Sequence, residues 1–454
     1  MPTSKSNDPN QEKKPSASRT GASGQAQRRQ TAARRRELER RRRERARRKR
    51  NRMIFRIVSI AALVVLVLLA AAGISRLAGK GNKKDSTSVQ EQTVAKAETE
   101  MDNSQTVDES SDKTDTGSEE AAAEPTPVPE TKRITVSVVG DITVGKDINF
   151  PYESSTNAYY DMYGSSYFMQ NVRELFENDD VTIGNFEGTL TESENRRQDR
   201  QFCFKAPAEY TNILKDGYIE AVTTANNHSH DYGEDGYTDT VANLDAAGIT
   251  NVGYEKYAVY ETNGKKIGIV GTYVLIEFLD CAPQMIENIK ACKAEGADIV
   301  VVIFHWGDEL ATTPDYYQTT LGRMAIDEGA DLVCGHHSHI IQGIEKYKGR
   351  YICYSLANFC FGGNSHPTDP DTFIFQQTFT VTGDEVAYDD SINIIPCLVS
   401  SSTAINNFQP TPLTGADADR VRQKIVDRTA LVTDMPDSQE DSYVTTHLMN
   451  QDTI

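Results

Sequence analysis

No histidine precedes position 228, and no two of the seven cysteines stand in a Cys-x-x-Cys spacing. The first absence confines imidazole chemistry to the second half of the chain. The second excludes zinc-knuckle and thioredoxin-type motifs. The cysteine count is odd and most of the seven sit inside apolar runs, which reads as buried free thiols rather than a disulfide framework. Aromatic and β-branched residues are scarce before Arg133 and frequent after it, so the core belongs to the second part. No internal repeat is apparent, which argues against a solenoid.

Charge is as uneven as hydrophobicity. Residues 1–52 hold 19 Lys or Arg against 5 Asp or Glu, a net of +14. The whole chain is −18, so the remainder carries −32. An acidic remainder argues against nucleic acid, or an anionic polymer, gripped by surface charge alone. The basic block 28–52 admits two readings, a nucleic-acid arm or the positive-inside flank of a membrane helix. The second is favoured because Ile57–Ile74 follows as an unbroken run of 18 apolar and small residues. That length just crosses a ~30 Å hydrocarbon core. A cleaved signal peptide needs a short leading region, and more than fifty residues stand here. The expectation is a basic cytoplasmic tail (1–52), a single-pass transmembrane helix in the cell membrane (53–77), and an extracytoplasmic remainder. Residues 78–132, rich in Ser, Thr, Asp, Glu and Lys and ending in AAAEPTPVPE, read as a disordered acidic stalk.

From Ile134 onward, strand-like and helix-like stretches alternate. ITVSVV (134–139), 181–183, 221–224, 266–270, 299–304, 332–334 and 351–356 are short apolar runs. Most release a polar cluster, and 238–247 between them is helical in pattern and stops at Gly248. Strand, polar cluster, helix, repeated, predicts an α/β fold with its site at the strand ends. The alternation in 373–381 suggests added antiparallel strands. Residues 401–454 read as a C-terminal amphipathic helix, 415–432, and a polar tail.

Five clusters carry the candidate chemistry. His337-x-His339, released into a loop by Gly335, is the strongest, because two imidazoles two apart in an extended loop reach one or two metal ions. Asp141 follows a strand and a glycine, and serves as a metal ligand or as a turn cap. Asn185 and Glu187 point to the same side of an extended backbone. Asn226, Asn227 and His228 are costly to bury without partners, and an amide oxygen suits a hard metal. His228 adds a group that binds or donates a proton, and Asp231 fixes that imidazole or makes a turn. His305 closes the run IVVVIF; Trp306 beside it suggests an aromatic cleft wall, and Glu309 a partner orienting His305. Seven of the eight histidines fall between 228 and 366, which strengthens the joint reading of a metal site.

Assembled in order, VGDITVGKD, GNFEGTLT, FKAPAEY, TANNHSHDYGEDGYTDT, FHWGDE, GADLVCGHHSHIIQGIE and YSLANFCF resemble the CapA family of capsule and poly-γ-glutamate synthesis proteins. The resemblance covers roughly 133–400. The family is similar to calcineurin-like metallophosphoesterases, which implies a four-layer αββα sandwich. It further implies a divalent metal centre of Mn, Fe or Zn, with one ion or two. Carried onto this chain, Asp141, Asn185, Glu187, Asn227, His305, His337 and His339 would be metal ligands, and His228 with Asp231 the catalytic acid and its partner. His336 is the weaker candidate, and His230 has no role in the pattern. The chain departs from the phosphoesterase motifs at Asp141-Ile142-Thr143, which lacks the usual Asp-x-His, and at Asn185-Phe186-Glu187, which lacks the usual aspartate. Ala357 stands where the family usually has glycine.

The resemblance implies capsule polymer synthesis and export components as partners and a polyanionic polymer as substrate. Three functions fit: an accessory of polymer assembly, a metal-dependent hydrolase of a phosphoester or amide, and a non-catalytic polymer-binding scaffold. Fold alone does not choose among them.

Overall fold

The computed structural model describes residues 129–387 and 391–433. The basic tail, the expected membrane helix, nearly all of the stalk and the polar C-terminal tail lie outside the described residues. Among the described residues no helix is long and apolar enough to cross a membrane.

Two mixed sheets form the centre. In the first, β1 (Thr131–Thr143), β2 (Val181–Phe186), β5 (Ala221–Thr223) and β6 (Thr250–Val252) run parallel. β13 (Asn358–Phe361) joins β1 in parallel, while β14 (Asp371–Thr382), β16 (Ile392–Leu398) and β17 (Thr411–Pro412) extend the other side antiparallel, with β15 (Glu385–Val386) folded onto β14. In the second, β8 (Lys265–Tyr273), β9 (Ile299–His305), β10 (Leu332–His336) and β12 (Arg350–Cys353) run parallel. β7 (Tyr257–Thr262) and β11 (Ile344–Tyr347) close its two edges antiparallel. β3 (Thr189–Leu190) and β4 (Lys205–Ala206) form a separate parallel pair.

The apolar runs read in the sequence are continuous because both faces of these strands are covered. Ile299, Val301 and Ile303 of β9 join Val136 and Val138 of β1 and Ile183 of β2 in a core between the sheets. The intervening Val300, Val302 and Phe304 pack outward beneath α5 (Ala282–Ala294) and α6 (Tyr316–Asp327). On the far side, Val139, Ile142 and Phe186 pack against α1 (Thr156–Tyr163), α2 (Arg173–Glu177), α3 (Thr211–Asp216) and α4 (Gly233–Ala247). Helix, sheet, sheet, helix is the four-layer order expected. All seven cysteines are buried and free.

Local chemistry sets the element ends. α6 opens on a capping box, with Gln318 N donating to Asp315 Oδ1 at 2.8 Å and Asp315 N donating to Gln318 Oε1 at 2.9 Å. α4 stops at Gly248, whose φ of 79° is the left-handed cap. It starts at Gly233 rather than near 238, and Glu234 and Asp235 favour its first turn. α7 (Gly415–Thr433) buries Val421 and Ile425 in the inter-sheet core. Asp371 holds α7 in place, accepting from Arg420 through two contacts of 2.6 and 2.7 Å and also from Lys424.

Trp306 corrects one expectation. His305 faces the inner side of β9, so its neighbour is turned to the outer side. The Trp306 ring stacks on Phe304 at a centroid distance of 4.1 Å, and its Nε1 donates to Tyr354 O at 2.9 Å. Trp306 is core beneath the helices and does not line the cleft.

The packing can be probed at two glycines and one carboxylate. A Cβ on Gly335 would meet Tyr354 O and Trp306 Nε1, each at 2.2 Å, so Gly335→Ala should cost about 3 kcal/mol or more in denaturant unfolding. Gly164→Ala, at φ 79° and ψ 179° with nothing within 4 Å, should cost about 1–3 kcal/mol from backbone strain alone. The Asp371 carboxyl is buried, which alone would raise its pKa, but Arg420 and Lys424 hold it below the usual carboxylate range. A folded pKa below the unfolded one means stability that is present above about pH 4 and lost as pH falls through the folded value. Asp371→Asn should therefore lower stability by about 2 kcal/mol at pH 7 and flatten the acid limb of the stability–pH curve.

Candidate functional site

The parallel strands of both sheets end at one place. Asp141 on β1 pairs in register with Asn185 on β2, and Asn185 with Thr223 on β5. On the second sheet His305 pairs in register with His336 and with Tyr273. The loops leaving these ends bring in Glu187, Asn227, His228, His337 and His339.

Asp141 is fully buried and satisfied from both sides. Asn185 Nδ2 donates to its Oδ1 at 2.8 Å, while His339 Nδ1 and the His337 N–H approach Oδ2 at 3.2 and 3.4 Å. Its own N–H donates to Ala357 O at 2.9 Å. Burial would raise its pKa, but the His339 contact and the histidine charges hold it below the usual carboxylate range. The reciprocal effect reaches His339: burial disfavours its charge, yet Asp141, Glu187 and the Asn358 oxygen, 2.9 Å from Nδ1, raise its pKa to about 10. His337 and His339 adopt φ of 90° and 55°, and Ala357 adopts 66°. These left-handed positions explain why glycine suits position 357.

His305 Nε2 lies 2.8 Å from Asn227 Oδ1 and 3.4 Å from Glu187 Oε1. Burial, followed by the His337, His336 and His339 imidazoles, keeps the His305 pKa well below its ordinary value. Burial and His339 likewise lower His337 to about 3. Burial and the Asp141 charge push Glu187 up to about 7. Two neutral imidazoles beside a carboxylate that resists ionisation form a donor set whose electrostatics a divalent cation would relieve. Glu187 Oε1 and His337 Nδ1 are buried with no hydrogen-bond partner, and ligand atoms of Glu187, His305 and His337 lie within 4.8 Å of one another. Asp141, Glu187 and His339 form a second such group. The donor set of carboxylate, imidazole and amide oxygen fits a divalent ion.

His228 flanks this cluster. Its Nδ1 lies 2.8 Å from Asp231 Oδ2, and Phe204 packs on the ring at 4.7 Å. Burial opposes its protonation, but Asp231 and then Glu187 carry its pKa above the ordinary value.

The sequence-predicted Asp141, Asn185, Glu187, Asn227, His228, Asp231, His305, His337 and His339 are thus all at one cleft. His336 is not oriented like its neighbours: its Nε2 contacts Val139 O at 2.9 Å, tying β10 to β1. Glu309 does not orient His305, whose two nitrogens meet Asn185 and Asn227; it is exposed and its carboxylate groups with His337 and His339. His230 stacks on Tyr237 at 4.5 Å. Sequence reasoning placed Asn226 in a candidate cluster without separating it as a brace, and gave Asn358 no role. Asn226 donates to Asn185 Oδ1 at 3.0 Å and to Phe186 O at 2.7 Å, and Asn358 holds His339. Asn226 stood beside the predicted Asn227, but nothing in the pattern separated the brace from the ligand.

The chain is 33% identical over 251 residues to the PGA biosynthesis protein CapA of Bacillus subtilis (strain 168), covering 50% of this chain and 63% of that protein. It is 28% identical over 327 residues to the capsule biosynthesis protein CapA of Bacillus anthracis, covering 66% and 75%. A probable polyglutamine synthesis accessory protein of Mycobacterium tuberculosis matches at 30% over 211 residues, 39% of this chain and 55% of that one. Among solved structures, a hypothetical protein from Thermus thermophilus aligns with a TM-score of 0.38 at 14% identity, over 58% of this chain and 99% of that one. The 5′-nucleotidase from Candida albicans SC5314 aligns with a TM-score of 0.36 at 13% identity, over 68% and 59%. The family described as bacterial capsule synthesis protein PGA_cap matches residues 135–363, half of the chain and a span that holds every one of the predicted ligands, and the chain belongs to that family.

Proposed function

We propose that this chain is a membrane-anchored, extracytoplasmic accessory of capsule or poly-γ-glutamate synthesis whose cleft is a metal-dependent hydrolytic site. The observation that carries the hydrolytic reading is the pair of orphaned buried atoms, Glu187 Oε1 and His337 Nδ1, facing His305 among neutral imidazoles. Relatives named for PGA and capsule biosynthesis support the pathway assignment. The apolar run Ile57–Ile74 behind a basic flank supports the anchor.

In this reading Glu187, His305, His337 and Asn227 hold one divalent ion, and Asp141, Asn185 and His339 border it or a second. Mn, Fe or Zn bound there supplies Lewis acidity toward a phosphoryl or carbonyl oxygen and lowers the pKa of water. Asn185 fixes Asp141 and His305 at once, its Nδ2 standing 2.8 Å from Oδ1 and 3.2 Å from Nδ1. His228, its Nδ1 tied to Asp231, holds a proton at Nε2 for the leaving group. Phe204 against its ring excludes water from one side.

The full chain, purified in detergent, should carry Mn, Fe or Zn by elemental analysis. His337→Ala should lose that metal and the turnover of bis(p-nitrophenyl) phosphate while keeping its circular dichroism spectrum. A metal-free native chain, or undiminished turnover in His337→Ala, would overturn the hydrolase and leave a polymer-binding scaffold. Asp231→Asn should lower kcat by about 100-fold with little change in KM. Because His228 is raised above its ordinary pKa and acts protonated, kcat should fall as pH rises through that value. In Asp231→Asn the fall should move to lower pH. Deleting the chain from its host should remove a surface polymer, and unchanged polymer would end the pathway assignment.

A further inference from the structure

Glu309, in the turn that follows β9, is not among the ligands the resemblance implies, and it does not orient His305. Its carboxylate nevertheless stands with two imidazoles: ligand atoms of Glu309, His337 and His339 lie within 4.8 Å of one another. This triple differs from the buried one of Glu187, His305 and His337. Of the three such groups among the described residues, it alone has an exposed member.

The turn is built to hold that carboxylate in place. Ala311 N donates to Asp308 O at 3.3 Å, which closes Asp308–Ala311 with Glu309 and Leu310 at its centre. Leu310 has φ 60°. The third position of a turn with that φ favours glycine or asparagine, and a leucine there costs about 1–2 kcal/mol. Leu310 is also 60% exposed, so burial offsets little of the cost. What holds the conformation is the hydrogen bond from Leu310 N to Ser338 O, at 2.9 Å, on the residue between the two histidines. Trp306 N donates to His336 O at 3.3 Å. Gln342 Nε2 donates to Ala311 O at 3.0 Å, and Gln342 Oε1 accepts from Gln318 Nε2 at 2.8 Å, both glutamines being fully buried. The stretch 306–311 is thus tied to the histidine loop and to the segment after it, and strain is retained where backbone position matters.

The two imidazoles are prepared for a cation in different ways. His337 is 6% exposed, and its Nδ1 has no hydrogen-bond partner. His339 Nδ1 is engaged from behind, 2.9 Å from Asn358 Oδ1 and 3.2 Å from Asp141 Oδ2, which leaves Nε2 for a ligand. An acceptor behind the ring is how metal-binding histidines are oriented. Coordination replaces the Nε2 proton, as metal binding to imidazole does generally. A carboxylate and two imidazoles with one side open to solvent form the donor set of a divalent ion that keeps room for water. We propose that Glu309, with His337 and His339, is a ligand of a divalent cation at the solvent-facing mouth of the cleft. A neutral imidazole has one bare nitrogen, so His337 serves either the buried set or this one, and Glu309 and His339 are what distinguish the outer position. This deepens the function proposed above and rests on it for the presence of a divalent ion in the cleft.

The test is equilibrium dialysis of the metal-stripped, detergent-purified full chain against Mn and against Zn, with bound metal counted by elemental analysis. Glu309→Gln, an isosteric change in an exposed turn, should keep the circular dichroism spectrum and weaken binding of at least one metal about tenfold or more. Asp308→Asn removes a neighbouring charge from the same turn without touching the triple, and should bind metal as the native chain does. Native affinity for both metals in Glu309→Gln overturns the ligand. An equal loss in Asp308→Asn overturns it too, because the effect is then one of general charge. Turnover of bis(p-nitrophenyl) phosphate by the same preparations reports separately on the hydrolase. Weakened metal binding in Glu309→Gln, with no turnover by the native chain, sinks the hydrolase and leaves the ligand standing. Turnover by the native chain, with metal binding unchanged in Glu309→Gln, does the reverse. A native chain that binds neither metal overturns both.

Discussion

The structure turns on one buried charge. Asp141 sits at the end of a central strand, out of contact with water, and a lone carboxylate there would be prohibitively costly. It is tolerated because groups from both sheets converge on it: Asn185 from the first, and His339 with the His337 N–H from the second. The contact that satisfies the charge is therefore also what aligns the two sheets' carboxyl edges. The inter-sheet core beneath supplies adhesion without direction, since apolar burial is indifferent to register.

The rest of the electrostatics follows from that convergence. Asp141 claims one proton through His339, and the imidazoles farther in are left neutral by burial and by each other. Glu187, in the field of Asp141, holds its proton up to about 7. Neighbouring groups of the same type thus separate into a charged pair, Asp141 with His339, and an uncharged set of His305, His337 and Glu187. Outside them His228 is pushed the opposite way by Asp231. Environments that drive titratable groups apart are how one cleft holds neutral imidazoles beside one that favours its proton.

Asp231 ties this centre to the loop between β3 and β4. One of its oxygens accepts from both the His228 ring and the Phe204 N–H, which ends the arginine-bearing loop. Loops that carry recognition are tolerant of change because they hang from rigid elements. Here the attachment is a residue of the site itself, so the loop's position and the imidazole's orientation are mechanically one feature.

Much of this was legible in the chain. Apolar runs ending in polar clusters marked β1, β2, β5, β9 and β10, because strands buried on both faces have no polar residues to interrupt them. Asp141, Glu187, Asn227, His305, His337 and His339 were legible because polar groups released from such runs have few reasons to be there. What the sequence alone could not decide was direction. His336, His337 and His339 are chemically alike, and only the left-handed backbone at the latter two, against the Val139 carbonyl that engages the first, separates the candidate ligands from a structural tie. Trp306 was misplaced because a strand's alternation depends on which neighbour faces inward. Composition and local pattern set which groups exist and where strands end, since those depend on near neighbours in the chain. Which groups meet depends on contacts between residues far apart in sequence, and only the packed sheets decided that.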